Sequence, residues 1–291
     1  MHQDGRVSKQ QFFSASFSIL LFPLLLAACS RSATSPPATQ PGGVALNNAL
    51  SAWADFPVAA KPRPFILMEG KVLDPVYGFP SDDTKAAYGN GQINPPSTWP
   101  SSPSTSMGFP VVGAEEAFKV LTTPTPSIGS PAVPALDVTN IQLGTGRFLT
   151  DRGYKVLPAW LFSLAGIQNP AEVLALNPAA IYSAPVTHNN VSPARMSATI
   201  GSSDRNMTLN VSGSPEGTGP CEATYSTSLM ESKEAIAVAI DSQPHIPAGA
   251  SCALSAQLIK LPVVLKSAIG SRVVVDAATK GAVTVQGGFP G

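Results

Sequence analysis

Proline and glycine recur along the whole chain and limit the length of any regular element. The 291 residues include 29 prolines and 24 glycines. Proline cannot continue a helix or the middle of a sheet, and glycine weakens both. Because 44% of the residues are apolar, the chain can still bury a core. These features predict many turns and short elements, in one large domain or two small ones.

Charged side chains are scarce and balanced. They make up only 12% of the chain, and the formal net charge at pH 7 is zero. A nucleic-acid-binding protein needs a basic face, because phosphate contacts supply most of its affinity. We therefore expect no nucleic-acid partner.

The first thirty residues have the pattern of an export signal. Arg6 and Lys9 give a positive start, and an apolar stretch follows over residues 12–28. It ends in small residues, as a signal peptidase requires. The alternative is a transmembrane helix, but the stretch contains Pro23 and is shorter than the about 20 residues that a span needs. We predict a signal peptide over residues 1–28.

The four residues Leu26-Ala27-Ala28-Cys29 resemble the lipobox of bacterial lipoproteins. The resemblance implies that Cys29 is lipidated on its sulfur and becomes the first residue after cleavage. The membrane would then be a partner through this lipid, with the protein on the extracytoplasmic face. Two or more acyl chains are needed for stable anchoring. Residues 30–43 are rich in Ser, Thr, Pro and Gly, which predicts that residues 29–43 are the lipidated cysteine and a flexible tether.

Two further cysteines, Cys221 and Cys252, remain once Cys29 carries lipid. An even pair in an oxidising compartment predicts one disulfide. The alternative is a metal or redox pair, but the chain has no Cys-x-x-Cys motif and no histidine close to both cysteines in the sequence.

Residues 44–135 read as a Pro/Gly-rich α+β segment. Apolar spacing predicts a helix over 44–53, Ser81 with the acidic residues after it predicts a helix over 82–88, and strong helix formers predict one over 114–121. An apolar run predicts a strand over 65–72, and residues 89–110 predict a long surface loop.

Residues 136–291 read as a β-rich domain. Gly144 and Gly146 predict a hairpin turn between strands at 137–143 and 147–150. The run at 235–240 is apolar throughout, which is typical of a central strand buried on both faces. Further short runs predict strands at 157–164, 171–176, 207–211, 224–232, 257–264, 272–276 and 283–286. The fold class is therefore α+β and β-dominant, with short N-terminal helices packed on a mostly antiparallel sheet or sandwich.

The β-rich part also resembles uncharacterised secreted lipoproteins of high-GC Gram-positive bacteria. The likeness is carried by residues 150–153 with 157–162 in the middle of the chain. In the C-terminal part it is carried by residues 221–225, 231–232, 235–240 and 270–276, together with Cys252. It implies an extracytoplasmic address and this architecture, and it implies no activity.

The best polar candidates for a ligand site are Asp151 and Arg152, which are adjacent in a chain that has few charges. The alternative is an ordinary hairpin turn with a structural ion pair. Trp160 could serve as a ligand platform, or it could be a core residue. His188 and His245 lie in predicted loops and are expected to be surface residues.

The sequence contains no nucleophile elbow, zinc-protease helix motif, phosphate-binding loop or calcium loop. We expect no catalytic residue, metal or cofactor. The first hypothesis for function is a membrane-anchored, non-enzymatic envelope protein that binds another envelope protein or a cell-wall component, or serves structurally. The alternatives are an extracytoplasmic enzyme with its site around Asp151 and Arg152, and a solute-binding lipoprotein.

Overall fold

Strands are the most common regular element in the part of the chain that the structure describes. The computed structural model describes residues 43–124, 133–185, 196–249, 251–252 and 256–287. All of these belong to one compact unit, Gln40–Gly291. The predicted signal peptide, Cys29, the tether before Gly43 and His188 lie outside the described residues. The division at residue 135 into a segment and a domain stays a prediction.

The described residues form three α-helices, a short 3-10 turn and fourteen strands. The helices are α1 (Gly43–Ala52), α2 (Asp82–Gly89) and α3 (Ala114–Leu121). The first seven strands are β1 (Val72–Leu73), β2 (Ile93–Asn94), β3 (Thr105–Ser106), β4 (Phe109–Pro110), β5 (Leu136–Thr150), β6 (Gly153–Leu164) and β7 (Ala171–Leu174). The other seven are β8 (Met196–Ile200), β9 (Asn206–Gly213), β10 (Ala223–Glu231), β11 (Ala235–Pro244), β12 (Gln257–Val264), β13 (Val273–Asp276) and β14 (Thr284–Gln286). The β-dominant α+β fold class is confirmed.

Local signals set the helices, and all three predicted helices are confirmed. The Ser81 hydroxyl accepts a hydrogen bond from the Thr84 amide at 3.2 Å, which caps α2. In α3, Glu115 and Glu116 lie in the first turn, where the helix dipole favours acidic residues. Phe118 and Leu121 lie on its buried face.

The long β5–β6 hairpin forms the inner part of a five-stranded sheet, whose strand order is β1-β7-β6-β5-β2. The predicted turn at residues 144–146 is wrong, because β5 runs through both glycines. A Cβ on Gly144 would lie 2.7 Å from Leu161, and one on Gly146 would lie 2.6 Å from the Glu172 carboxylate. The two glycines therefore make room for neighbouring side chains. The turn lies instead at residues 151–152, before Gly153 with φ +75°.

The predicted strand at 65–72 is also wrong for most of its length. Phe65 forms an isolated bridge to Ile181, and Leu67 forms one to Thr150. The backbone hydrogen bonds of residues 65–68 alternate between residues 180–182 and residues 149–151, so no continuous ladder forms. The first strand of the chain is therefore the two-residue β1. The predicted surface loop at 89–110 is also wrong in part, because β2 pairs with β5 and buries Ile93, while β3 and β4 form a short hairpin.

The C-terminal strands form two sheets, which corresponds to the sandwich of the two predicted alternatives, a sheet or a sandwich. A three-stranded sheet has the order β10-β11-β13, and a four-stranded sheet has the order β12-β9-β8-β14. Their facing sides share one apolar core, to which Leu209, Val238 and Leu261 belong. Strand β11 is central and buried on both faces over residues 235–238, as predicted.

Helix α1 and the residues after it cover the outer face of the three-stranded sheet. The small side chains of Ala235 and Ala237 let Trp53 approach, and Trp53 is fully buried there. The Trp53 indole N–H donates to the Lys280 carbonyl at 2.8 Å, which satisfies its buried polar atom. None of the helices in the described ranges is long and apolar enough to span a membrane.

Candidate functional site

The predicted site residues Asp151 and Arg152 form the turn between β5 and β6. The Thr150 hydroxyl donates to the Gly153 carbonyl at 2.8 Å and accepts from the Arg152 amide at 3.1 Å. The Asp151 backbone accepts from the Val285 amide at 2.9 Å and donates to the Ile66 carbonyl at 3.0 Å. The turn therefore lies where strand β14, the 65–68 segment and the hairpin meet.

The Asp151 carboxylate is buried between two guanidinium groups. Its side chain is only 2% exposed. Arg63 donates to both of its oxygens, with Nη1 at 3.3 Å from Oδ1. The Arg152 Nε atom lies 3.5 Å from Oδ2. A buried carboxylate requires such partners, because an isolated buried charge is very costly.

The two arginines also bind the loop before strand β13. Arg63 donates through Nε to the Ser271 carbonyl at 2.9 Å. Arg152 donates through Nη2 to the carbonyls of Gly270 and Arg272, at 2.9 and 2.7 Å. Burial and the nearby Arg63 charge lower the pKa of Arg152 to about 10, although Asp151 opposes the shift. Arg152 is therefore still a cation at neutral pH.

A second buried ion pair fixes the other end of this loop. Arg272 donates to the Glu231 carboxylate at 2.8 Å, and both side chains are less than a tenth exposed. Glu231 also accepts from the backbone amides of Lys266 and Ser267. Burial by itself raises the pKa of Glu231, but the hydrogen bonds from Arg272 and these amides outweigh it, so the pKa lies below its ordinary value. This pair has a structural role.

A cavity of about 800 Å³ opens beside the Asp151 turn, and we call it the basic cleft. Four cations line it: Lys61, Arg63, Arg152 and Lys155. Within the described part of the chain, no hydrogen bond or ion pair involves the side-chain nitrogen of Lys61 or Lys155. Four cations therefore line the cleft, and two of them, Arg63 and Arg152, also pair with the buried Asp151 carboxylate.

The other walls of the basic cleft are apolar. The rings of Phe65 and Phe109 pack with centroids 5.3 Å apart. Val156 contributes a side chain that is 56% exposed, and Leu157 lies beside it on β6. A volume of several hundred cubic ångströms, with apolar walls and few polar groups, is typical of a small-molecule site.

The other predicted residues lie away from the cleft. Trp160 is 1% exposed in the core between the five-stranded sheet and α3, and its indole N–H donates to the Val112 carbonyl at 2.9 Å. His245 extends the β10–β11 pairing, since its carbonyl accepts from the Cys221 amide. The ligand-binding role of Asp151, Arg152 and Trp160 stays a prediction.

The Cys221–Cys252 disulfide is confirmed, with the two Cα atoms 5.5 Å apart. It joins the residues before β10 to the connection between β11 and β12. Among the described residues, no group of three or more His, Cys, Asp or Glu side chains is placed to hold a metal ion.

Sequence reasoning missed Arg63, Lys61 and Lys155 as cleft residues. Arg63 lies 88 positions before Asp151, so no local pattern connects them. A usable signal was the run Lys61-Pro62-Arg63-Pro64, which places two cations close together in a chain that has few charges.

Comparison with known proteins provides no further assignment. No protein-family model matches the chain. No curated protein matches it, and no solved structure matches it.

Proposed function

We propose that this chain is a lipid-anchored, extracytoplasmic envelope protein that binds an envelope component through the basic cleft, without catalysis. The observation that carries the binding role is the accumulation of four cations around an 800 Å³ cavity. The chain as a whole has no net charge, so the four clustered cations form a local positive patch that would attract an anionic partner. An anionic component of the envelope would be electrostatically complementary to these cations.

The proposed address rests on two features. The sequence Leu26-Ala27-Ala28-Cys29 resembles a lipobox, and the anchor is inferred from that resemblance. The Cys221–Cys252 disulfide fits an oxidising compartment, where such bonds form and persist.

Binding is favoured over catalysis by the way in which Asp151 is used. A carboxylate that acts as a general base must reach the substrate and accept a proton from it. The Asp151 side chain is 2% exposed and held by Arg63 and Arg152. Its hydrogen bonds support a structural role in shaping the cleft.

The anchor is tested by metabolic labelling of the full chain with palmitate in the producing bacterium. We expect the wild type and the neighbouring control Ser30→Ala to carry label in the membrane fraction. The Cys29→Ala variant should lose the label and change in processing or release. An unlabelled wild type, or a Cys29→Ala variant processed like the control, would contradict the anchor.

The binding role is tested by lysine footprinting. Purified full-length protein and native envelope fractions are treated with an amine-acylating reagent, and the modified lysines are quantified by mass spectrometry. We expect Lys61 and Lys155 to be protected in the envelope, while the exposed Lys85 and Lys260 react equally in both samples. Equal reactivity of all four lysines in both samples would refute binding at the cleft.

A further inference from the structure

The basic cleft is lined by cationic side chains, which we call its cationic part, and by apolar side chains, which we call its apolar part. Lys61 and Lys155 carry charge at its lining, while Phe65 and Phe109 form an aromatic wall. We infer that it binds a small amphiphilic anion, that is, an organic phosphate or carboxylate with an apolar body. This inference rests on the proposed function and names the chemical class of its ligand.

The cationic part is suited to a compact anionic group. Asp151 balances one of the two arginine charges, and backbone carbonyls of residues 270–272 fix both guanidinium groups. Their position is therefore set before any ligand arrives. The two lysines have flexible stems and no carboxylate partner within the described ranges, so they can close on a phosphate or carboxylate oxygen.

The apolar part is suited to a hydrocarbon or aromatic body. Val156 is 56% exposed although it lies on the long β5–β6 hairpin, and Phe65 and Phe109 are only half-buried. A ligand that covered these side chains would remove apolar surface from water. Each buried methylene then contributes about 0.8 kcal/mol, or about a fourfold gain in affinity.

The other ligand classes fit less well. A cationic ligand would meet four like charges and one carboxylate that is already paired. A purely inorganic anion would leave the aromatic wall uncovered. A neutral apolar molecule would leave Lys61 and Lys155 without a counter-charge.

The test titrates the full-length protein, purified in a neutral maltoside detergent, with octyl phosphate and separately with octanoate. Binding is followed by isothermal calorimetry, and titration of protein-free micelles is the baseline for partitioning. Inorganic phosphate, ethyl phosphate, octanol and octyltrimethylammonium are the comparison probes. The matched variants are Lys61→Gln/Lys155→Gln in the cleft and Lys85→Gln/Lys260→Gln on exposed surface elsewhere.

We expect saturable binding of at least one octyl anion, weaker binding of ethyl phosphate, and no saturable binding of octanol or the octyl cation. The cleft variant should lose affinity by about tenfold or more, the range of charge-assisted hydrogen bonds, whereas the surface variant should bind like the wild type. Preference between octyl phosphate and octanoate identifies the anionic group.

Absence of saturable binding of either octyl anion would overturn the inference, as would equal affinities of the two double variants. Binding of inorganic phosphate as tight as that of octyl phosphate would overturn the role of the apolar wall. These outcomes are distinct from failure of the proposed function, because footprint protection of Lys61 and Lys155 in native envelopes does not depend on the probe. Protection of Lys61 and Lys155 without octyl-anion binding would support binding at the cleft but reject amphiphilic anions as its ligand.

Discussion

Replacing Asp151 with asparagine separates a structural role for this carboxylate from a role in ligand binding. The substitution keeps the size of the side chain but removes the negative charge between Arg63 and Arg152. Breaking a buried ion pair by removing one partner typically costs about 3–5 kcal/mol. Arg63 and Arg152 are 15% and 10% exposed and retain their backbone carbonyl partners. We therefore expect a loss of about 3 kcal/mol, at the lower end of that range.

The assay is equilibrium unfolding of the full chain in urea, followed by tryptophan fluorescence. Trp53 and Trp160 are both buried, one beneath α1 and one in the core beside α3, so they report on two parts of the fold. We expect the midpoint of Asp151→Asn to fall with little change in the slope, because the surface exposed on unfolding is similar. The shift should persist in high salt, since buried pairs are weakly screened.

The matched control is Glu115→Gln, which breaks a surface pair on α3. The Glu115 and Lys119 side chains are 60% and 70% exposed, and such pairs contribute about 0.5 kcal/mol or less. If Asp151→Asn were no less stable than this control, the structural reasoning would fail. Loss of octyl-anion binding at unchanged stability would instead indicate that Asp151 positions Arg63 and Arg152 for the ligand.

Two further predictions concern the C-terminal sheets. The Glu231→Gln variant should be less stable than the wild type at about pH 7, and the difference between their urea midpoints should shrink as the pH falls below 4.5. The reason is that the lowered pKa of Glu231 makes its contribution present above the ordinary value of 4.5 and lost as the pH falls through the folded value. A difference that did not shrink in acid would contradict the ion-pair argument. The double variant Cys221→Ala/Cys252→Ala should lose about 3–4 kcal/mol of unfolding free energy, because the bridge closes a loop of 31 residues in the unfolded chain. A reducing agent should lower the wild-type midpoint toward that of the double variant and leave the double variant unchanged.

The elements that were predictable from sequence are those set by neighbouring residues. Each of these signals acts within its own helix or strand: examples are the cap at Ser81, the acidic first turn of α3 and the apolar run of β11. The helices and most C-terminal strands follow from such patterns. The disulfide followed from cysteine number together with the predicted oxidising compartment, because Cys221 and Cys252 are the two cysteines that remain once Cys29 is assigned to lipid.

The pairings between segments that are distant in sequence were decided by the tertiary structure alone. Gly144 and Gly146 look like a turn in isolation, but side chains from other strands occupy the space beside them. Residues 65–68 look like a strand, but their hydrogen bonds go to two different partners. Arg63 reaches Asp151 across 88 positions of sequence. Burial and charge pairing depend on which segments meet in space, and the local periodicity of a sequence does not encode that choice.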